Sequence, residues 1–110
     1  MTPMAPPGLS VEAAALWRDI GAEFMVDDAA GLRLLRTACE ALDAMRRAEA
    51  QVERDGPTYR DRYGGIKAHP LLAVVRDNRA AMLLALRQLG LDPNPKPQAR
   101  IGRPPGSKRA

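Results

Sequence analysis

The chain has 110 residues, a formal net charge of +4, one cysteine and one histidine. This length suits one small domain and is too short for two independent cores. One cysteine excludes an intrachain disulfide, and one cysteine with one histidine cannot form an ordinary zinc site. We therefore expect no metal and no cofactor, and a small core that gains stability when several copies assemble.

Residues 1–9 predict a flexible leader, because three prolines and a glycine leave no periodic apolar face. This segment has neither the basic nor the apolar region of a signal peptide, and no apolar run in the chain is long enough to span a bilayer. We expect a cytoplasmic protein with no membrane partner. In that compartment Cys39 should be reduced, and its apolar neighbours favour a packing role.

A first helix is predicted to begin after the cap residue Ser10 and to end near Met25. The apolar residues that repeat at helical spacing on its inner face are Leu16, Trp17, Ile20 and Phe24.

A second, longer helix is predicted to follow the cap residues Asp27 and Asp28 and to reach about Arg54. On its exposed side, Asp43 and Arg47 have the spacing of a favourable i,i+4 ion pair. Its predicted inward stripe consists of Leu32, Leu35, Cys39, Leu42 and Met45.

A β-hairpin is predicted at about residues 57–68, between the second and third helices. Gly64 and Gly65 indicate a two-residue turn, since both can take positive φ. An isolated hairpin is barely stable in water, so this one should lie against a helix or a neighbouring subunit.

A third helix is predicted to begin at Pro70 and to end at Gly90. Its main stripe consists of Leu72, Val75, Arg79, Met82, Leu86 and Leu89. The second half, AAMLLALRQLG, is apolar on nearly every side, so part of it should meet another copy. The predicted oligomer interface consists of Leu72, Val75, Arg79, Met82, Leu83 and Leu86.

Arg79 interrupts this apolar stripe and has two interpretations. Its methylene stem can pack while the guanidinium stays in water, or it can pair with an acid across a subunit boundary. His69 precedes a proline, which favours an extended backbone, and no triad or paired-acid arrangement lies near it in the sequence. We predict a structural role for His69 and no catalytic residue.

Residues 92–110 predict a basic, proline-rich, disordered tail. Met1 to Leu91 holds 12 basic and 12 acidic residues, so the tail carries the whole charge imbalance. This asymmetry favours a polyanion such as double-stranded DNA, although a solubilising tail is an alternative. The stretch RIGRPPGSKR is similar to an AT-hook with Ile101 inserted in the motif. The predicted DNA-binding residues are Lys96, Arg100, Arg103, Lys108 and Arg109.

Leu16-Trp17-Arg18, the stretch ACEALD, the hairpin and the segment HPLLAVVRDNRAAMLLALRQLGLDP together resemble a phage terminase small subunit. The resemblance covers about residues 10–93 and is to the subfamily with a hairpin before an HP-initiated helix. It implies a ring of identical subunits that binds viral DNA and delivers it to the large terminase subunit, which holds the ATPase and nuclease. The implied function is a non-enzymatic packaging factor in the bacterial host cell.

The expected fold is mainly α, with three helices, one short hairpin and disordered termini, and residues 10–91 form a helical oligomerisation domain. The second helix is too long, and the turn before it too acidic, for a helix-turn-helix reader. We therefore assign DNA contact to the tail. Arg60, Arg62 and Lys67 are secondary candidates, for which a solvated strand face is the favoured interpretation. A small nucleoid-associated or transcription-regulating protein with an AT-hook-like tail remains the alternative function.

Overall fold

The computed structural model describes residues 1–90, and the predicted tail lies outside them. The described elements are α1 (Val11–Glu23), α2 (Ala29–Asp55), β1 (Thr58–Arg60), β2 (Ile66–Ala68) and α3 (Leu71–Gln88). The two strands pair antiparallel, which confirms the predicted mainly α fold with a hairpin between the second and third helices. None of the helices within residues 1–90 is long and apolar enough to cross a membrane.

Helices α1 and α2 begin at side-chain caps, and glycines with positive φ follow α2 and α3. The Ser10 hydroxyl accepts a hydrogen bond from the Ala13 N–H at 3.0 Å, and the Asp28 carboxylate accepts one from the third residue of α2 at 3.0 Å. Both side chains thus satisfy N–H groups that have no partner within the helix. Gly56 and Gly90, which follow α2 and α3, have φ values of 88° and 87°, a region open to glycine.

Helix α2 is the centre of the fold, with α1 packed on one side and α3 folded back along it. The direction of α3 follows from two contacts, because His69 meets Asp55 and, further along, Arg79 meets Glu49. The predicted inward stripe of α2 is confirmed, since four of its members are buried and the fifth is half-buried. The buried residues of this core include Trp17, Leu35, Cys39, Leu42, Met45 and Val75.

Three predicted positions differ in the structure. Phe24 is 47% exposed, because α1 ends at Glu23 and Phe24 lies beyond its last turn. The buried face of α3 is rotated from the predicted stripe, so that Leu71 packs on the core while Leu72 and Arg79 are exposed. The apolar second half of α3 gives no unique inner face, and contact with α2 decides which side is covered.

The predicted ion pair between Asp43 and Arg47 is wrong. Asp43 is only 8% exposed and accepts hydrogen bonds from Ser10, at the start of α1. The prediction placed Asp43 on the wet side of α2, where α1 in fact packs. A buried carboxylate needs such hydrogen-bond partners, because its desolvation is otherwise costly.

The first nine residues contain no helix or strand, yet they make specific contacts with the helices. The indole N–H of Trp17 donates to the Pro3 carbonyl at 2.8 Å. The Thr2 hydroxyl lies 2.8 Å from the Gly21 carbonyl oxygen and 2.6 Å from that of Val26. The segment predicted as a flexible leader is thereby anchored over the end of α1.

Candidate nucleic-acid and subunit interfaces

The base of the hairpin is held by His69. Its backbone N–H donates to the Pro57 carbonyl at 2.7 Å. Its ring Nδ1 accepts the Leu71 N–H at 3.0 Å, which leaves the proton on Nε2 to be donated to Asp55 at 2.8 Å. A hydrogen bond from Gln51, followed by that from His69, holds the pKa of the Asp55 carboxyl below its usual range.

These contacts give His69 a structural role, because both ring nitrogens are engaged. Nδ1 satisfies an N–H at the start of α3, and Nε2 joins that helix to the end of α2. The partner Asp55 was missed in the sequence. Its position directly before Gly56-Pro57, where the chain leaves α2 for the hairpin, was the available signal.

The turn of the hairpin is wider than the sequence predicts. The last strand pair joins Arg60 to Ile66, so five residues connect the strands, and the predicted two-residue turn is wrong. The Asp61 carboxylate accepts the N–H groups of Tyr63 and Gly65, both at 2.9 Å. An aspartate that accepts backbone N–H groups within its own turn stabilises such a wider loop.

All six strand residues are exposed, so within residues 1–90 no helix covers the hairpin. The register pairs Tyr59 with Lys67 and Arg60 with Ile66. Neighbouring residues of a strand point to opposite faces, so Arg60 and Lys67 lie on opposite faces of the ribbon. The predicted secondary DNA contacts thus surround the ribbon rather than form one patch.

The tip of the hairpin carries the third of these cations. The Arg62 guanidinium carbon lies 5.6 Å from the centre of the Tyr63 ring, within the range of a cation–π contact. Tyr63 is 85% exposed. The tip therefore presents a cation and an aromatic ring to solvent.

The predicted oligomer interface divides into two groups in the structure. Val75 is buried within its own chain, and Met82 and Leu86 are half-buried. Leu72 and Leu83 are exposed, at 38% and 47%. These two side chains are therefore the apolar members of the set that are available to a second copy.

Sequence reasoning missed two exposed apolar residues of α3. Val74 is 37% exposed and Leu84 is 52% exposed. By the helical period, Val74 lies across the helix from Leu72 and Leu83, and Leu84 lies on the solvent side between these two flanks. A helical projection of residues 71–88 would have shown that apolar surface remains on both flanks of the core-facing stripe.

Arg79 belongs to a chain of ion pairs that joins all three helices. Its Nη2 lies 3.3 Å from Glu49 Oε2, and the other oxygen of Glu49 accepts from Arg46 at 2.8 Å. Arg46 also donates two hydrogen bonds to Glu12, both at 3.0 Å. These bonds lower the pKa of Glu12 and raise that of Arg46. The acid that pairs with Arg79 is thus in the same chain.

The predicted tail contacts lie outside the described residues and stay predictions: Lys96, Arg100, Arg103, Lys108 and Arg109. Within residues 1–90, no group of three or more His, Cys, Asp or Glu side chains could hold a metal ion.

A family model described as phage terminase, small subunit, matches residues 13–105. The match begins in α1, includes the hairpin and α3, and continues into the basic tail. Comparison with curated proteins and with solved structures finds no match. Since the family model covers well over half of the chain, the chain belongs to the phage terminase small subunit family.

Proposed function

We propose that this chain is a non-enzymatic small terminase subunit. It assembles into a ring of identical copies, binds double-stranded viral DNA, and delivers that DNA to the large terminase subunit for packaging in the cytoplasm of the host cell. The observation that carries the proposal is the family match over residues 13–105, which includes both the helical body and most of the basic tail. The large subunit supplies ATP hydrolysis and DNA cleavage.

Assembly is supported by the apolar surface that α3 leaves exposed. Leu72 and Leu83 on one flank, Val74 on the other and Leu84 on the outer side of the helix are 37% to 52% exposed. Burial of a fully exposed side chain of this kind contributes about 1.5–3 kcal/mol; covering the exposed part of each of these four contributes less, but together they favour contact with another copy. Within the proposed interface, Arg79 lies beside Leu72 and Leu83 and keeps its pair with Glu49.

DNA binding is supported by the charge of the tail. Its five cations give the chain its whole net charge of +4, once Asp92 is subtracted. If all five contact phosphates, log K falls with log salt at a slope of about −4.5. One tail alone binds weakly at cellular salt, whereas several tails on one ring reach the same duplex with a high effective concentration.

The test compares the intact protein with a full-length variant in which the five tail cations are replaced by glutamine. Duplex affinity is measured from about 50 to 200 mM salt, and the mass of each protein by light scattering. We expect a closed oligomer larger than a dimer for both proteins, and a salt slope that loses most of its magnitude in the variant.

Three results would contradict the proposal. If the protein is a folded monomer at high concentration and does not bind duplex DNA in dilute salt, both assembly and DNA binding are contradicted. A stable dimer that binds DNA favours the nucleoid or transcription-regulating alternative. ATP hydrolysis by the isolated chain contradicts the non-enzymatic assignment.

A further inference from the structure

We propose that the β1–β2 hairpin is a second DNA-binding element, which enters the major groove of the duplex tip first. The proposal rests on the proposed function, because it takes double-stranded DNA as the ligand. It adds a site on the folded body to the contacts assigned to the tail, and it gives each hairpin cation a separate place in the groove.

The charge of the hairpin fits a polyanion. Arg60, Arg62 and Lys67 are exposed, and Asp61 is the one acid between Pro57 and Ala68. Asp61 is engaged by two backbone N–H groups of its own turn, and Lys67 Nζ lies at the 4.0 Å limit of an ion pair with it. Arg60 donates one guanidinium hydrogen bond to the Gly64 carbonyl at 2.9 Å, and since this partner is neutral, the three cations keep most of their charge for an external partner.

The placement of the cations fits insertion between two rows of phosphates. Arg60 and Lys67 lie on opposite faces of the ribbon, and Arg62 is at the tip. When a hairpin enters a groove tip first, its two faces meet the two sugar–phosphate walls and its tip approaches the base edges. Arg60 and Lys67 then each contact the phosphates of one strand. Arg62 and the exposed ring of Tyr63 approach the base edges at the bottom of the groove.

The dimensions select the major groove. A β-ribbon with side chains on both faces is about 10 Å thick, by the spacing of stacked sheets. The major groove of B-DNA is about 12 Å wide and accepts a two-stranded ribbon, whereas the minor groove is about 6 Å wide. The ribbon therefore fits the major groove of undeformed B-DNA, whereas its entry into the minor groove would require that groove to widen at a cost in deformation energy.

The base of the hairpin holds it in one orientation. His69 binds Pro57, Asp55 and the start of α3 through three hydrogen bonds of 2.7 to 3.0 Å. These bonds join the ribbon to two helices, so less conformational freedom is lost when it binds. The exposed side chains of Tyr59 and Ile66 would instead suit a protein partner, which is the alternative. We favour DNA because the charge of the hairpin is uniformly basic apart from the engaged Asp61.

The first test measures salt-dependent duplex binding by full-length proteins. In the hairpin variant, Arg60, Arg62 and Lys67 become glutamine. In the matched control, three exposed arginines that form no ion pair within residues 1–90 become glutamine: Arg33, Arg47 and Arg87. The glutamine-tail variant described above completes the set. Circular dichroism and light scattering establish that each protein keeps its helices and its mass.

We expect the hairpin variant to lose about 1.8 from the magnitude of the slope of log K against log salt, at about 0.9 for each of the two phosphate contacts assigned to Arg60 and Lys67. The control should lose much less, and a variant with Arg60→Lys and Arg62→Lys should keep the slope, since it keeps the charge. Equal losses in hairpin variant and control would overturn the proposal. A slope that falls only in the tail variant would overturn it and leave the proposed function standing. A changed mass in the hairpin variant would assign the hairpin to contact between copies instead.

The second test identifies the groove. The glutamine-tail variant is bound to a duplex and challenged with methyl green, which occupies the major groove, or with netropsin, which occupies the minor groove. We expect displacement by methyl green and little effect of netropsin. Displacement by netropsin alone, or no duplex binding by this variant, would overturn the proposal. Failure of the intact protein to bind any duplex would instead overturn the proposed function.

Discussion

Asp43 accepts two hydrogen bonds from Ser10. The backbone N–H of Ser10 lies 2.9 Å from Oδ2, and its hydroxyl lies 2.5 Å from Oδ1. The same hydroxyl accepts the N–H of Ala13, so it both caps α1 and contacts the middle of α2. The position of α1 against α2 is therefore specified by a polar contact at the edge of the apolar core.

Replacing Asp43 with alanine should lower the free energy of unfolding by about 2–3 kcal/mol, because two donors of Ser10 lose a charged acceptor. Urea denaturation measures the change. The control is Asp19→Ala on the exposed side of α1, for which we expect about 0.5 kcal/mol or less. Equal effects of the two substitutions would show that the contact between Ser10 and Asp43 contributes little.

The pair between Glu12 and Arg46 should make stability depend on pH. Hydrogen bonding by Arg46 lowers the pKa of Glu12 in the folded protein, so the unfolded chain binds the proton more readily. This contribution is present above the unfolded pKa of about 4.3 and is lost as the pH falls through the lower folded pKa. Asp55, whose pKa is also lowered, acts in the same direction.

The urea midpoint should therefore fall on acidification, and fall less in Glu12→Gln than in the parent protein. Glu53→Gln, at an exposed position of α2, serves as the control and should follow the parent. Parallel curves for the parent and Glu12→Gln would contradict the prediction. High salt should reduce the difference, because the pair is exposed.

The close approach of Thr2 to Gly21 should make these positions interdependent. A Cβ at Gly21 would lie 2.6 Å from Thr2 Cγ2, which is shorter than van der Waals contact allows. Gly21→Ala should therefore destabilise the parent by about 1–3 kcal/mol. In a Thr2→Gly background the same substitution should be neutral or stabilising, because alanine is the better helix former.

A double-mutant cycle followed by Trp17 fluorescence measures this coupling, since the Trp17 indole N–H contacts Pro3. If Gly21→Ala displaces residues 1–9 from α1, the fluorescence emission of Trp17 should shift. Equal effects of Gly21→Ala in both backgrounds would mean that the leader does not rest on α1 in solution.

The exposed flanks of α3 should hold the assembly together. Leu83→Asp or Leu84→Asp places a charge in the proposed interface and should lower the mass measured by light scattering at a given concentration. Val11→Asp, at a position on α1 that is 91% exposed, removes a similar apolar group elsewhere and should leave the mass unchanged. An unchanged mass in both leucine variants would move the interface away from α3.

Cys39 should be chemically inert in the native protein. Burial raises the pKa of its thiol to about 11, so the reactive thiolate is scarce at neutral pH. A thiol reagent such as Ellman's reagent should react slowly with the folded protein and rapidly in denaturant. Fast reaction under native conditions would show that the contact between α1 and α2 opens readily.

The features that the sequence predicts correctly depend on interactions between residues close together in the chain. A cap such as Ser10 or Asp28 acts on N–H groups two or three residues away, and Gly90 ends α3 through its own φ. The apolar stripe of α2 was also readable, because its polar and apolar residues alternate strongly with the helical period. The number, order and approximate ends of the elements followed from such short-range effects.

Contacts between distant residues could not be read in the same way. The sequence of α2 predicts an exposed Asp43, but contact with α1 buries it. The acid that pairs with Arg79 is Glu49, thirty residues earlier on α2. The rotation of α3 was equally undetermined, since its second half offers several apolar faces of similar strength. These features depend on how the helices pack, because burial and ion pairing are set by neighbours that short-range periodicity does not identify.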